Sequence, residues 1–214
     1  MSAHDAAVTM AMFARLTLAA IFPFAYLSDD ACGSANAEAK DVVEIELAVG
    51  SDREKAAERQ LRQLLDAYDL DHLIETRRVR IEGGAVPHSH PVLTLNTRHL
   101  DDDDRQLATF VHEQLHWRLS ATIDAADAAI ADLRTLYPDV PVGGGQGGRD
   151  AYSTYLHLII GILEIDALAD LLGRSRARAL IGRFDIYRWV YGEVLDNETQ
   201  IREVVEAHGL ALSK

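Results

Sequence analysis

The sequence predicts an α+β domain that is rich in helices and contains a small β-sheet. Apolar residues recur every three or four positions in several long segments, which is typical of amphipathic helices. Shorter segments in the first half of the chain are rich in Val, Ile and Leu and partly alternate with polar residues, as half-buried strands do. The chain has 214 residues, 48% of them hydrophobic, and no internal repeat, so we expect residues 38–214 to form one domain.

Three strands are expected, all of them ahead of the longest helices. Partial alternation indicates strands at residues 42–49 and 76–81, and a third strand at residues 92–96. A Gly-Gly pair turns the chain after the second strand. The Pro-His-Ser-His-Pro segment at residues 87–91 is expected to be rigid and irregular.

Helix starts are indicated by side chains that can cap the free N–H groups of a first turn. Ser51 and Glu54 form a capping box for a helix that ends near residue 68, and Asp101 and Asp150 are the predicted N-caps of two longer helices. The helix after Asp150 is apolar on every side to about residue 173, so we expect it to be buried. Further helices are expected at residues 123–137 and, shorter, from Asp185 and Asn197.

His112, Glu113 and His116 form an H-E-x-x-H sequence within the helix expected from Asp101. Residues four apart on a helix lie one turn above each other on the same face, so the two imidazoles can bind one Zn²⁺. Glu113 follows the first histidine directly and can act as a general base on water at such an ion. We therefore interpret the sequence as a metal site; a hydrogen-bonded or exposed pair of histidines is the alternative.

The order of a strand, an acidic turn and an H-E-x-x-H helix resembles the zincin metallopeptidases over roughly residues 92–173. The resemblance implies that His112 and His116 bind zinc and that Glu113 is the general base. It also implies that the strand before the helix is an edge strand that holds an extended peptide by main-chain pairing. The residues of that strand are Leu93, Thr94, Leu95 and Asn96.

A catalytic zinc site needs a third protein ligand and a position left open for water. The metzincin pattern has a glycine and a histidine where this chain has Leu119 and Thr122, which excludes that subtype. By resemblance to the gluzincins, which take a glutamate from a later helix, Glu164 is the expected third ligand. An unpaired carboxylate in that apolar helix is costly, and a hydrogen bond to an arginine or a histidine is the alternative to a metal. Many gluzincins have an aspartate four residues later, where this chain has Leu168.

One face of the helix after Asp150 is polar or small. Its residues are Thr154, His157, Gly161 and Glu164. Gly161 lowers helix stability, so we expect it to make room for a neighbouring helix or for a metal beside Glu164. His157 is interpreted as a residue that orients a ligand or as a core histidine, with direct metal binding as the alternative.

A hydrolase also needs a group that stabilises the oxyanion. Tyr187 and Tyr191 share a helical face, and His88 and His90 precede the third strand; each is a candidate, and a structural function is the alternative for each. The glycine-rich segment at residues 138–148 lacks the Gly-Lys-Ser/Thr ending of a phosphate-binding loop. We expect either a mobile loop over a cleft or a plain connection there.

The composition of the chain limits the partners that the protein can bind and the cellular compartment in which we expect it. A net charge of −13 argues against nucleic acid, and the single cysteine, Cys32, excludes an internal disulfide. Residues 1–37 are predicted to be a signal peptide, because an apolar run at residues 16–27 follows Arg15 and an Ala-Asn-Ala site ends the segment. We therefore expect a periplasmic or secreted domain without a membrane span; the alternative is an N-terminal helix packed on a cytoplasmic domain.

Together these features predict a zinc-dependent metallopeptidase that hydrolyses peptide bonds with zinc-bound water activated by Glu113. Its partner is then a peptide or protein substrate. Imidazole and carboxylate ligands also suit cobalt, nickel and manganese. Two other interpretations stay open: a metal-binding module without proteolysis, and an interaction domain that binds no metal.

Overall fold

A three-stranded parallel sheet and seven α-helices make up residues 42–212, the part of the chain that the computed structural model describes. These residues belong to one compact unit. The helix-rich α+β class predicted from the sequence is confirmed. Within these residues, no helix combines the length and the apolar character needed to cross a membrane. The predicted signal peptide at residues 1–37 lies outside the described residues.

The strands lie in the order β1 (Glu44–Leu47), β2 (Arg78–Ile81) and β3 (Leu93–Leu95), and both neighbouring pairs are parallel. Parallel strands need a crossover connection, and helix α1 (Asp52–Ala67) supplies it between β1 and β2. β3 is at one edge of the sheet and precedes the helix that carries the H-E-x-x-H sequence. The sheet therefore determines where the N-terminal end of that helix lies.

Two of the predicted helix caps are confirmed. Ser51 and Glu54 form the capping box of α1, and the Asp150 carboxylate accepts a main-chain N–H from the first turn of α4. The cap of α2 is Asp102 rather than Asp101, because the Asp102 side chain is the one that accepts an N–H from the first turn. The helices after α1 are α2 (Asp103–Ala121), α3 (Ile123–Leu136), α4 (Ala151–Leu172), α5 (Arg174–Ile181), α6 (Arg188–Asp196) and α7 (Glu198–Ala207).

Helix α4 is the centre of the core and contacts α2, α3, α5, α6 and α7. Its apolar side chains point in all directions and are buried, as the sequence predicted; Leu158, Ile159 and Ile160 are each 0% exposed. The sheet lies against α1 and α2. Because α2 packs on α4, the H-E-x-x-H sequence of α2 meets the polar stripe of α4 inside the protein.

Candidate metal centre

Three histidines from two helices converge at one place. His112 and His116 lie one turn apart on α2, and His157 lies on α4. One potential ligand atom from each lies within 4.8 Å of the others. Tetrahedral zinc with nitrogen ligands at about 2.0–2.1 Å holds those nitrogens about 3.3 Å apart, so small side-chain rotations suffice to close the group on one ion. The three histidines can hold a metal.

Two of these histidines are oriented through their Nδ1 atoms. His157 Nδ1 donates to the main-chain carbonyl of Ser153 at 2.6 Å, one turn earlier on α4. His112 Nδ1 lies 3.1 Å from Glu164 Oε2. Each contact leaves Nε2 as the atom available for a metal. A hydrogen bond of this kind fixes the tautomer and the ring orientation of a ligating histidine.

Electrostatics keep two of the imidazoles neutral, as a metal ligand must be. Burial, and then the neighbouring His112, lower the pKa of His116 to about 2. The same two causes lower the pKa of His157 to about 3. For His112, burial acts to lower the pKa, but the charge and the hydrogen bond of Glu164 outweigh it and raise the pKa. At neutral pH, His116 and His157 therefore present free lone pairs.

Glu113 lies beside the three histidines and is 5% exposed. Burial raises the pKa of its carboxyl group, His112 and His88 act to lower it, and Glu164 adds to the increase. A carboxylate whose pKa is moved towards neutrality is a better proton acceptor in a hydrolytic step. Glu113 thus has the environment of a general base.

Glu164 lies next to the three histidines rather than among them, and its expected function as the third metal ligand stays a prediction. It is 1% exposed, and its Oε2 accepts hydrogen bonds from Tyr191 Oη at 2.7 Å and from His112 Nδ1. The reason is helix geometry: His157 and Glu164 are seven residues apart on α4, a rise of about 10 Å. Glu164 contacts His112 at Nδ1, whereas the ring of His157 lies with its centroid 5.4 Å from that of His112. The third histidine of the group is His157, for which direct metal binding is the alternative interpretation from the sequence.

Gly161 lies between these two residues, where α6 passes close to α4. A Cβ atom at this position would lie 2.9 Å from Val194 Cγ2 and 3.7 Å from the ring of Tyr191. The expectation that Gly161 makes room for a neighbouring helix is confirmed. The close approach brings Tyr191 to Glu164, a contact that the sequence did not predict.

The two candidate tyrosines take different positions. Tyr191 is buried, and its hydroxyl bonds Glu164, so burial and that carboxylate raise the pKa of Tyr191 well above its ordinary value. Tyr187 stacks on His157, with ring centroids 4.0 Å apart and an interplanar angle of 22°. Burial and then the charge of Glu113 raise the pKa of Tyr187, so its hydroxyl stays protonated. Tyr187 thus contacts the histidines through its ring, whereas Tyr191 approaches His112 Nδ1 with its hydroxyl at 3.4 Å.

His88 and His90 border the site without joining the three histidines. His90 stacks on Trp117 of α2 at 4.1 Å, and Trp117 Nε1 donates to the Ser89 carbonyl at 2.8 Å. Both histidines are exposed. The charge of His88 acts to lower the pKa of Glu113, and the charge of His90 acts to lower the pKa of His116. The 87–91 segment is thus fixed against α2 next to the site.

The predicted substrate strand does not offer a free edge at its centre. Thr94 N–H donates to the His88 carbonyl at 2.7 Å, and His88 N–H donates to the Thr94 carbonyl at 3.1 Å. An extended peptide needs these same Thr94 groups to pair with β3. The strand residues are also buried, namely Leu93, Thr94, Leu95 and Asn96. The chain's own 87–91 segment thus takes part of the edge along which a peptide was expected to pair, and main-chain binding of substrate by these residues stays a prediction.

Comparisons of the chain with protein-family models, with curated proteins and with solved structures give no significant match.

Proposed function

We propose that the protein is a zinc-dependent hydrolase of peptide bonds. The observation that supports this is the group formed by His112, His116 and His157, with Glu113 next to the first of them and almost fully buried. Catalytic zinc sites typically have three protein ligands and one open position, and three histidines are a common set. The donor chemistry here fits zinc, and no carboxylate is needed among the ligands.

When bound, zinc acts as a Lewis acid that polarises a carbonyl group and makes water more acidic. Glu113 accepts the proton of the attacking water and later passes it to the leaving amine. Glu164 and the Ser153 carbonyl hold His112 and His157 in one orientation throughout. The small separation between ligand atoms means that little rearrangement is needed before the reaction.

A second function, metal binding without proteolysis, is favoured by one observation. The edge of β3 is already paired with His88, so the mode of peptide binding implied by the zincin resemblance is blocked at Thr94. A peptidase with this fold must hold its substrate by side-chain contacts or on another surface. A metal module needs no such surface.

Two substitutions separate these functions. Glu113→Gln should retain about one zinc per chain, measured on purified protein, and lose cleavage of a peptide library. His157→Ala should lose both. Matched controls are Glu203→Gln, at an exposed position of α7, and His72→Ala, at an exposed position outside the site; both should behave as wild type. Full cleavage by Glu113→Gln would contradict the peptidase proposal, and zinc bound equally well by His157→Ala would contradict the metal centre.

A further inference from the structure

Strand β1 lies at the edge of the sheet opposite β3 and, among residues 42–212, pairs with a strand on one side only. Ala48 N–H, just after the strand, donates to the Ile81 carbonyl at 2.9 Å, so the even-numbered residues of this segment direct their main-chain groups towards β2. In a parallel pair, alternate residues of a strand bond opposite neighbours. Ile45 and Leu47 therefore direct their N–H and C=O groups away from the sheet, where no described residue bonds them.

The two edges of the sheet thus differ. The edge at β3 is paired with His88 of the 87–91 segment, whereas within residues 42–212 the edge at β1 is uncovered. Such an edge presents main-chain donors and acceptors that another extended chain can pair with. This edge is short, because the N–H of Val49 already donates to Glu54 Oε2 at 3.1 Å. The edge therefore suits a short extended segment.

The two faces of β1 have different chemistry. The odd-numbered residues are half-buried, and Ile45 packs against the core. Glu44 and Glu46 are exposed on the opposite face. Glu46 forms an ion pair with Arg80 of β2 at 3.2 Å, and its side chain is 64% exposed. Glu44 is the register partner of Arg78 and forms no ion pair with a described residue.

The charges on this face determine which strand can be added to β1. Acidic residues of β1 lie beside basic residues of β2, so the sign of the charge changes from one strand to the next. Opposite charges directly across two strands are stabilising, and like charges are destabilising. A crevice of about 310 Å³ beside β1 is lined in part by Glu44 and Glu46 and has room for further side chains. Basic side chains are the ones that complement this face.

A second copy of β1 does not meet this requirement. In antiparallel pairing with continuous faces, the registers that overlap three of the four residues place Glu44 opposite Glu46, or Glu46 opposite Glu46 of the other copy. Both arrangements bring like charges together. The net charge of −13 also repels a second copy and attracts a basic partner.

We propose that β1 is a docking edge for an extended segment of another protein in which lysine or arginine alternates with apolar residues. Main-chain pairing with Ile45 and Leu47 attaches the segment as a fourth strand. Glu44 and Glu46 select its basic side chains, while its apolar side chains extend the half-buried face. The inference is independent of the proposed function, because the residues of the metal centre lie on α2 and α4.

The selectivity is tested by NMR titration of the ¹⁵N-labelled 214-residue chain with synthetic peptides of about six residues, the usual length of a strand. One peptide alternates lysine with valine, one alternates glutamate with valine, and one has the lysines and the valines in separate blocks. The alternating lysine peptide should shift the amide signals of Ile45 and Leu47 most, and it should bind at least 10-fold more tightly than either of the others.

The acidic residues are tested with the double variant Glu44→Gln and Glu46→Gln, which should bind the alternating lysine peptide about 5-fold more weakly. The matched control is Glu203→Gln with Glu206→Gln, which makes the same change in net charge at exposed positions of α7 and should bind as wild type. Equal weakening in both double variants would overturn the selection by β1.

Main-chain pairing is tested by Ile45→Pro, which removes an N–H that points away from β2 and so leaves the bonds between β1 and β2 in place. Ile45→Ala is the control, because it also loses the apolar side chain but keeps the N–H. Circular dichroism shows whether each variant is folded. The proline variant should bind the alternating lysine peptide at least 5-fold more weakly than the alanine variant, and equal binding by the two would overturn the pairing.

Hydrogen exchange in the protein without peptide tests whether the edge is open. The amides of Ile45 and Leu47 should exchange rapidly at every protein concentration. Slow exchange that depends on protein concentration would show that a second copy covers the edge, and slow exchange at every concentration would show that another part of the same chain does. Either result would overturn the proposal, as would unchanged Ile45 and Leu47 signals at millimolar lysine peptide.

Discussion

Replacing Glu164 by glutamine tests whether this residue binds the metal or orients a histidine that does. Glutamine has nearly the same shape, so the change removes the negative charge and leaves the packing of a residue that is 1% exposed. In the structure the carboxylate accepts hydrogen bonds from His112 Nδ1 and from Tyr191 Oη. Glu164→Gln should therefore weaken metal binding without abolishing it.

The magnitude follows from the buried contact to His112. A hydrogen bond to a charged group contributes about 1.5–3 kcal/mol, and loss of a residue that orients a ligand typically costs about 10–100-fold in metal affinity. These two ranges agree, since about 1.4 kcal/mol corresponds to tenfold. Loss of a direct ligand, as in His157→Ala, should cost considerably more. Tyr191→Phe removes the weaker, indirect contact and should have the smallest effect of the three.

The assay is a zinc titration against a competing chromophoric chelator, with circular dichroism to show that each variant is folded. The expected order of affinity is wild type, Tyr191→Phe, Glu164→Gln and then His157→Ala. If Glu164→Gln loses zinc as completely as His157→Ala, Glu164 is a ligand after all and the arrangement described above is wrong. If its affinity equals that of wild type, the His112–Glu164 contact does not support the metal.

Three further predictions concern stability. The pKa of His157 falls from 6.5 to about 3, chiefly by burial, so below pH 6.5 the unfolded chain gains a proton that the folded chain does not. The unfolding free energy of the metal-free protein should therefore decrease as the pH is lowered, and this residue contributes at most about 1.4 kcal/mol per pH unit. Urea titrations at several pH values measure the dependence, and His157→Gln should show a shallower slope than wild type. Gly161→Ala should destabilise the protein by about 1–3 kcal/mol, because the new Cβ would lie 2.9 Å from Val194 Cγ2, whereas Gly192→Ala should not; thermal unfolding compares the two. Removing zinc by chelation should lower the stability of wild type by about 2.7 kcal/mol relative to zinc at 100 times its Kd, and should leave His157→Ala unchanged.

Local patterns in the sequence predicted most of the helices, but they did not predict α5 as a separate helix. The capping box at Ser51 and the cap at Asp150 act within a single turn, so they can be recognised without knowledge of the rest of the fold. The buried character of α4 also follows from its own composition. The parallel arrangement of the strands does not, since it depends on how α1 crosses between β1 and β2.

The sequence alone could not show that His157 lies beside the two histidines of α2. His157 and Glu164 share one face of α4, and both are plausible ligands by residue type. The position of α2 relative to α4 along their axes decides which part of the His112 ring each of these two residues contacts. No local sequence pattern determines that relative position. The pairing of Tyr191 with Glu164 was missed for the same reason. One signal was available: Gly161 indicated a close neighbour beside Glu164, and a polar residue on a neighbouring helix was then a candidate partner for that carboxylate.

The covered edge of β3 has a consequence for how a substrate could be held. In the zincin arrangement the strand supplies main-chain groups, and these bind any extended peptide regardless of its side chains. Here the 87–91 segment takes that place, and Trp117 holds the segment through the Ser89 carbonyl. A peptide bound at the metal centre must then be recognised mainly by side chains, including the exposed His88 and His90 and the ring of Tyr187. Recognition of that kind depends on the residues of the substrate, so we infer a narrower specificity than a free edge strand would give.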